Sequence, residues 1–206
     1  GDWSSDVCSS DLGKLSLIAS RNMLQNDAFK YLNNDETQIR TFDYSSSEQE
    51  NKVRLEYRLE TDAWKIVTGA GAEYAVYDNF SKLHLFDPFS EGLISIGYTS
   101  NYDLVKYGGF VQGSRSWMNN RVILSAGARV DANNFGSEMK NPLEQFSPRA
   151  SLRIGLTPAL TFNANTGIYY QQPTYLAMGF QSNDVFVNQG MRFVRNRQVV
   201  AGFQYD

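Results

Sequence analysis

His84 is the only histidine in this 206-residue chain and Cys8 the only cysteine. A zinc site draws its ligands from several His, Cys, Asp or Glu side chains, and a serine relay needs its base beside a nucleophile. His84 lies in Leu83-His84-Leu85-Phe86 and has no such company. It reads as an ordinary residue of a connecting segment. The sequence contains no nucleophile elbow and no paired-acid motif. The expectation is therefore no catalytic residue, no metal ligand, no cofactor and no enzyme.

Binding chemistry is better represented. Arg129, Asp131, Arg149 and Arg153 fall at alternate positions that would share the polar faces of neighbouring strands. Opposite charges across such strands stabilise pairing by ~0.2–1 kcal/mol. A wall network of this kind is the leading reading, and contact with whatever fills the polar side of the sheet is the alternative. A second set is aromatic. The stretch 78–103 holds Phe80, Phe86, Phe89, Tyr98 and Tyr102. The stretch 172–195 holds Tyr175, Phe180, Phe186 and Phe193 with Arg192 and Arg195. Rings presented in exposed loops suit stacking on sugars, heme-like groups or metal chelates. They suit loop-to-loop packing, or contact with lipopolysaccharide, just as well.

The elements that must position these groups are strands. In Ser147–Tyr170, Leu152 and Ile154 alternate with Arg153, and Leu160 and Phe162 alternate with Thr161 and Asn163. Successive side chains on a strand point to opposite faces, so each strand has one apolar and one polar face. Eight such segments follow in order: 13–22, 37–59, 63–77, 104–117, 121–131, the hairpin 149–171 that supplies two, and 196–206. None has helical spacing. A short helical turn is allowed only over Leu24–Leu32. Each segment is near or above the ~9–11 residues a tilted strand needs to cross a bilayer.

The connections alternate in length. Short turns fall at 60–62, 118–120 and 157–158, and longer loops near 23–36, 78–103, 132–147 and 172–195. A transmembrane barrel has short turns at one end and long loops at the other. A soluble β-sandwich, the other architecture compatible with the alternation, has no reason to sort its loops this way. Trp64 and Trp117, with several Tyr near strand ends, suit an aromatic girdle at a membrane boundary.

Residues 1–12, GDWSSDVCSSDL, resemble the translation of a common sequencing adapter and are expected to stay outside the sheet. The full chain carries 22 acidic and 19 basic residues, a net charge of −3. Setting aside Asp2, Asp6 and Asp11 leaves equal numbers of each. That balance gives no electrostatic case for binding nucleic acid. The alternation from Asn196 is still running at Asp206, so the chain is expected to be a fragment.

The run Tyr107–Asp131, YGGFVQGSRSWMNNRVILSAGARVD, resembles a recurrent segment of TonB-dependent outer-membrane receptors, ending in Gly127-x-Arg129-x-Asp131. Phe146-Ser147-Pro148-Arg149 resembles that family's opening of the following strand, and Gly167–Pro173, GIYYQQP, its strand end. The resemblance implies an all-β fold: an antiparallel up-and-down meander forming about eight strands of a larger transmembrane barrel. It implies a place in a Gram-negative outer membrane, among lipid and lipopolysaccharide. It further implies a plug domain and TonB as partners through parts of the protein outside this chain, and uptake of a bulky nutrient such as a siderophore, cobalamin or an oligosaccharide. Under it, Phe86, Phe89, Tyr98, Tyr102, Tyr175, Phe180, Phe186 and Arg192 become candidate ligand contacts, and Arg129, Asp131, Arg149 and Arg153 candidate lumen or plug contacts. A passive pore or an adhesion barrel is the alternative.

Overall fold

The computed structural model describes residues 3–10, 13–87, 92–182 and 185–206; of 3–10, 86 and 87 it describes the backbone only. Eight strands correspond one for one to the expected segments: β2 (Gly13–Tyr31), β3 (Arg40–Glu60), β4 (Trp64–Asp87), β5 (Gly92–Trp117), β6 (Val122–Asn133), β7 (Ser147–Gly155), β8 (Leu160–Gln171) and β11 (Val194–Tyr205). A further strand, β1 (Trp3–Ser10), precedes them. The two-residue strands β9 (Gln181–Ser182) and β10 (Val185–Phe186) pair only with each other. The nine long strands form one antiparallel sheet in chain order, and its two end strands do not meet. No helix among the described residues is long and apolar enough to cross a membrane.

Three expectations are corrected. Residues 1–12 do not all stay outside the sheet, because β1 pairs with β2 from Trp3↔Ala19 to Ser10↔Gly13. The outer edge of β2 offers its backbone donors and acceptors to an adjacent extended segment, and β1 takes that place. The stretches 23–36 and 78–103 are also mostly strand rather than loop. β2 runs on to Tyr31, β4 to Asp87, and β5 begins at Gly92. Their side chains lose the apolar–polar alternation there, which hid them, but the backbone ladder continues regardless. The helical turn allowed at 24–32 is strand as far as Tyr31, followed by a 3-10 turn at Leu32–Asn34.

The register sorts the two faces. Leu55 pairs with Ala70, Ala70 with Gly109, Val111 with Ala128, Leu124 with Leu152, Ile154 with Phe162, and Phe162 with Phe203. Facing partners lie on the same side, so these residues form one continuous apolar face. The opposite face carries Lys52↔Glu73, Glu73↔Lys106, Phe110↔Arg129, Gly127↔Arg149 and Arg153↔Asn163. Leu55, Val111 and Leu124 are exposed, so the apolar face is bare across the sheet.

The short turns lie at one end. Thr61 N donates to Trp64 O (2.8 Å), Ser116 N to Ala63 O (3.1 Å) and Gly155 N to Arg121 O (2.7 Å), which links neighbouring turns directly. The turn Met118-Asn119-Asn120 takes three positive φ values, 53°, 54° and 67°. Asparagine tolerates this left-handed region; methionine adopts it only at a steric cost. On the apolar face at this end, the Arg115 guanidinium lies 5.0 Å from the Trp64 ring centroid and 5.2 Å from that of Trp117.

The buried core lies at the other end, on the polar face. Ala75, Leu104, Met139 and Met178 form it, with Tyr102, Phe135, Tyr175, Met191 and Phe193 packed around them. Met139 comes from the β6–β7 connection and Met178 from α1 (Tyr175–Met178), a single turn in the β8–β11 connection. Thus two connections fold back over the sheet and supply the cover that a second layer would otherwise provide.

Candidate functional site

The polar face of β3–β5 carries a compact charged group. Glu50 and Lys52 stand on β3, Glu73 on β4 and Lys106 on β5, brought side by side by the pairings Lys52↔Glu73↔Lys106. Lys52 Nζ lies 2.8 Å from Glu50 Oε2 and 3.4 Å from Glu73 Oε2. Lys106 Nζ donates to Glu50 Oε1 at 3.2 Å and also to Glu73. Two carboxylates and two ammonium groups thus alternate, with no net charge. The apolar face opposite them ends near Val53 on β3 and Val76 on β4, giving way to Asn51, Gln49 and Asp78, and Glu50, in register with Ala75, stands at its end.

Tyr175 closes the group from above. Its hydroxyl donates to Glu50 Oε1 at 2.7 Å and accepts from Lys106. Its ring stacks on Tyr77 at 5.5 Å with 18° between planes. The Glu50 carboxylate thus faces Lys52, Lys106 and the Tyr175 hydroxyl together. Burial, and then the hydrogen bond to Glu50, push the Tyr175 phenol far above its ordinary range. Tyr175 is therefore a permanent donor at neutral pH.

The candidate aromatics divide. Tyr102 and Tyr175 meet with Tyr77, Phe135 and Phe186 in one cluster; Tyr102 lies 5.6 Å from Phe135 and 5.7 Å from Phe186. Tyr98 meets Phe180 edge-on at 4.9 Å. These rings therefore pack connection against strand. Arg192 pairs with Glu138 of the neighbouring connection. Phe86 is the last residue but one of β4, and nothing is described of its side chain; Phe89 lies outside the described residues.

The candidate cations share the polar face but form no single network. Arg129 makes a bidentate pair with Asp131 of its own strand, both contacts 2.6 Å, rather than a pair across strands. Arg149 stacks over Tyr169 at 4.5 Å. Arg153 faces Asn163 in register. An open cavity of about 540 Å³ runs along this face between Arg54, Glu73, Lys106, Arg129, Asp131 and Arg149. A second, of about 300 Å³, continues it toward Gln112, Ser151, Asn165 and Tyr169. Polar walls of this kind suit hydrated or hydrogen-bonded contents.

Sequence reasoning missed Glu50, Lys106 and Tyr77. Their signal was period-two polarity, visible for Lys52 and Glu73, but which charges meet depends on strand register. Among the described residues there is no group of three or more potential metal ligands.

Comparison with known proteins is consistent with this geometry. The family described as TonB dependent receptor-like, beta-barrel, matches residues 3–205. Among solved structures, the chain is similar to the copper transporter OprC, with a TM-score of 0.67 and 16% identity over 96% of this chain and 35% of the other. It is also similar to BauA, the ferric preacinetobactin receptor of Acinetobacter baumannii, with a TM-score of 0.55 and 13% identity over 100% of this chain and 34% of that one. The chain therefore spans about a third of those proteins. No curated protein matches the sequence.

Proposed function

The chain belongs to the TonB-dependent receptor β-barrel family, and from that premise we propose that it forms part of the wall of an outer-membrane receptor that imports a bulky nutrient with energy delivered through TonB. The observation that carries this reading is the register. It gathers the apolar residues of eight strands on one bare face and the charges on the other. A bare apolar face of that breadth calls for lipid, and a charged, cavitied face calls for a wet lumen.

The dimensions agree. From Trp64 to Val76 the apolar face spans about twelve residues at ~3.3 Å each, which at a tilt of ~40° covers about 30 Å, the thickness of a bilayer core. Trp64 and Trp117 then mark the periplasmic boundary, and the β2–β3, β4–β5, β6–β7 and β8–β11 connections are external. The remainder of the barrel, a plug and the TonB contact belong to the full-length protein. Arg129, Arg149 and Arg153 would face the lumen and plug, and the 540 Å³ cavity would lie inside.

The test is uptake. Cells with and without the full-length receptor gene are compared on ferric siderophores, cobalamin and oligosaccharides as limiting nutrients. Growth that needs both this gene and TonB is the expected result. Permeation that persists without TonB would make the protein a passive pore, and a detergent-free soluble product would overturn the membrane reading altogether.

A further inference from the structure

The segment 172–182 is anchored far from its own strands. It leaves β8 and yet Tyr175 reaches β3, β4 and β5. Four strand spacings of ~4.8 Å separate β8 from β4, about 19 Å across the sheet. We infer that Tyr175 is the positioning residue of this segment: its hydroxyl, held by Glu50 and Lys106, fixes 172–182 across the polar face and so controls access from outside to the wall around Asn79 and Ser100. The inference rests on the barrel reading above.

The anchor is dense for so short a segment. Besides the contacts of its hydroxyl, the Tyr175 carbonyl accepts from Tyr102 Oη at 2.8 Å and from Gly179 N at 2.7 Å. Lys106 Nζ also sits 4.7 Å from the Tyr175 ring centroid. Thr174 caps the turn, its hydroxyl accepting from Ala177 N at 3.3 Å. Gly179 then lies so close to the wall that an added Cβ would be 2.8 Å from Ser100 Oγ and 2.7 Å from the Tyr102 ring.

What lies beneath pulls the other way. Ser100 and Asn79 are 3% and 5% exposed, and Ser100 Oγ and Asn79 Nδ2 have no hydrogen-bond partner in the protein. A buried polar group left unpaired costs ~1–3 kcal/mol. Seating the segment therefore gains a charge-assisted anchor and the burial of Met178, and gives up the hydration of the Ser100 hydroxyl under Gly179. Lifting reverses both. An element balanced in this way opens more readily than the strands under it, and the anchor decides how often.

The experiment uses the full-length protein in intact cells, with Cys8→Ser and a reporter thiol at Ser100→Cys, labelled by a membrane-impermeant maleimide. Removing a hydrogen bond to a charged partner is expected to speed labelling about tenfold or more. Tyr175→Phe should do so while keeping the ring, Glu50→Gln should match it, and the double variant should be no faster than either alone. Unchanged labelling in Tyr175→Phe, or fully additive effects, would overturn the inference. If Tyr175→Phe loses its heat-modifiable gel mobility and so fails to fold, Tyr102→Phe, which removes the hydroxyl bonded to the Tyr175 carbonyl, carries the same expectation. A second thiol, at the exposed Asp27→Cys, separates the two ideas. Labelling of Asp27→Cys only after lysis would refute the external assignment, whatever Tyr175 does.

Discussion

The two halves of the sheet solve the same problem differently. β2 to β5 run for 19, 21, 24 and 26 residues; β6, β7, β8 and β11 run for 12, 9, 12 and 12. In the long half the ladder continues past the apolar band and carries polar residues on both faces. In the short half the strands stop where the band stops, and the chain turns back over the polar face. Backbone hydrogen bonds hold the first projection upright. Side-chain anchors, Tyr175 above all, hold the second one down. Regular structure beyond the apolar band therefore needs no packing partner, whereas a folded-back connection needs a prepared seat.

The largest test of this contrast is an arginine scan of the apolar face. Leu55→Arg in the long half and Leu124→Arg in the short half should each cost ~2–4 kcal/mol in reversible unfolding of the full-length protein. Ser47→Arg, on the same face of β3 as Leu55 but beyond the band, should cost ~0–1 kcal/mol. Equal costs at Leu55 and Ser47 would mean that lipid covers the whole of β3 and that no projection exists.

Next in size is Gly179→Ala. The new methyl would enter the Ser100 and Tyr102 contacts, and overpacking of this kind costs ~1–3 kcal/mol. The expected result is faster hydrogen exchange in a peptide covering 172–182, with β3 and β4 unaffected. The smallest effect belongs to the turn end, where Met118→Gly relieves a φ of 53°. A gain of at most ~1 kcal/mol is expected from this change, because glycine also loses more chain entropy on folding.

The sequence revealed the strands wherever faces differ. The clean alternation of Val53 to Leu59 and of Leu152 to Phe162 follows one apolar and one polar face. It faded at 23–31, 78–87 and 92–103, where polar and apolar residues fall on both faces and no period survives. The same logic explains the site. Lys52 and Glu73 were visible as polar positions, but their meeting with Glu50, Lys106 and Tyr175 depends on register and on a connection crossing four strands. Neither leaves a mark in local sequence.

The β4–β5 hairpin pairs without interruption from Trp64↔Arg115 to Asp87↔Gly92. A ladder with no bulge has nowhere to absorb an unmatched residue, and a slip by one exchanges the two faces. One residue inserted near Asp78 would present every side chain farther along that arm to the wrong side, whereas residues inserted between Asp87 and Gly92 would leave every existing pair intact. Natural length variation in this hairpin should therefore accumulate at its tip, and within the arms it should be confined to matched gains or losses that keep both faces in step.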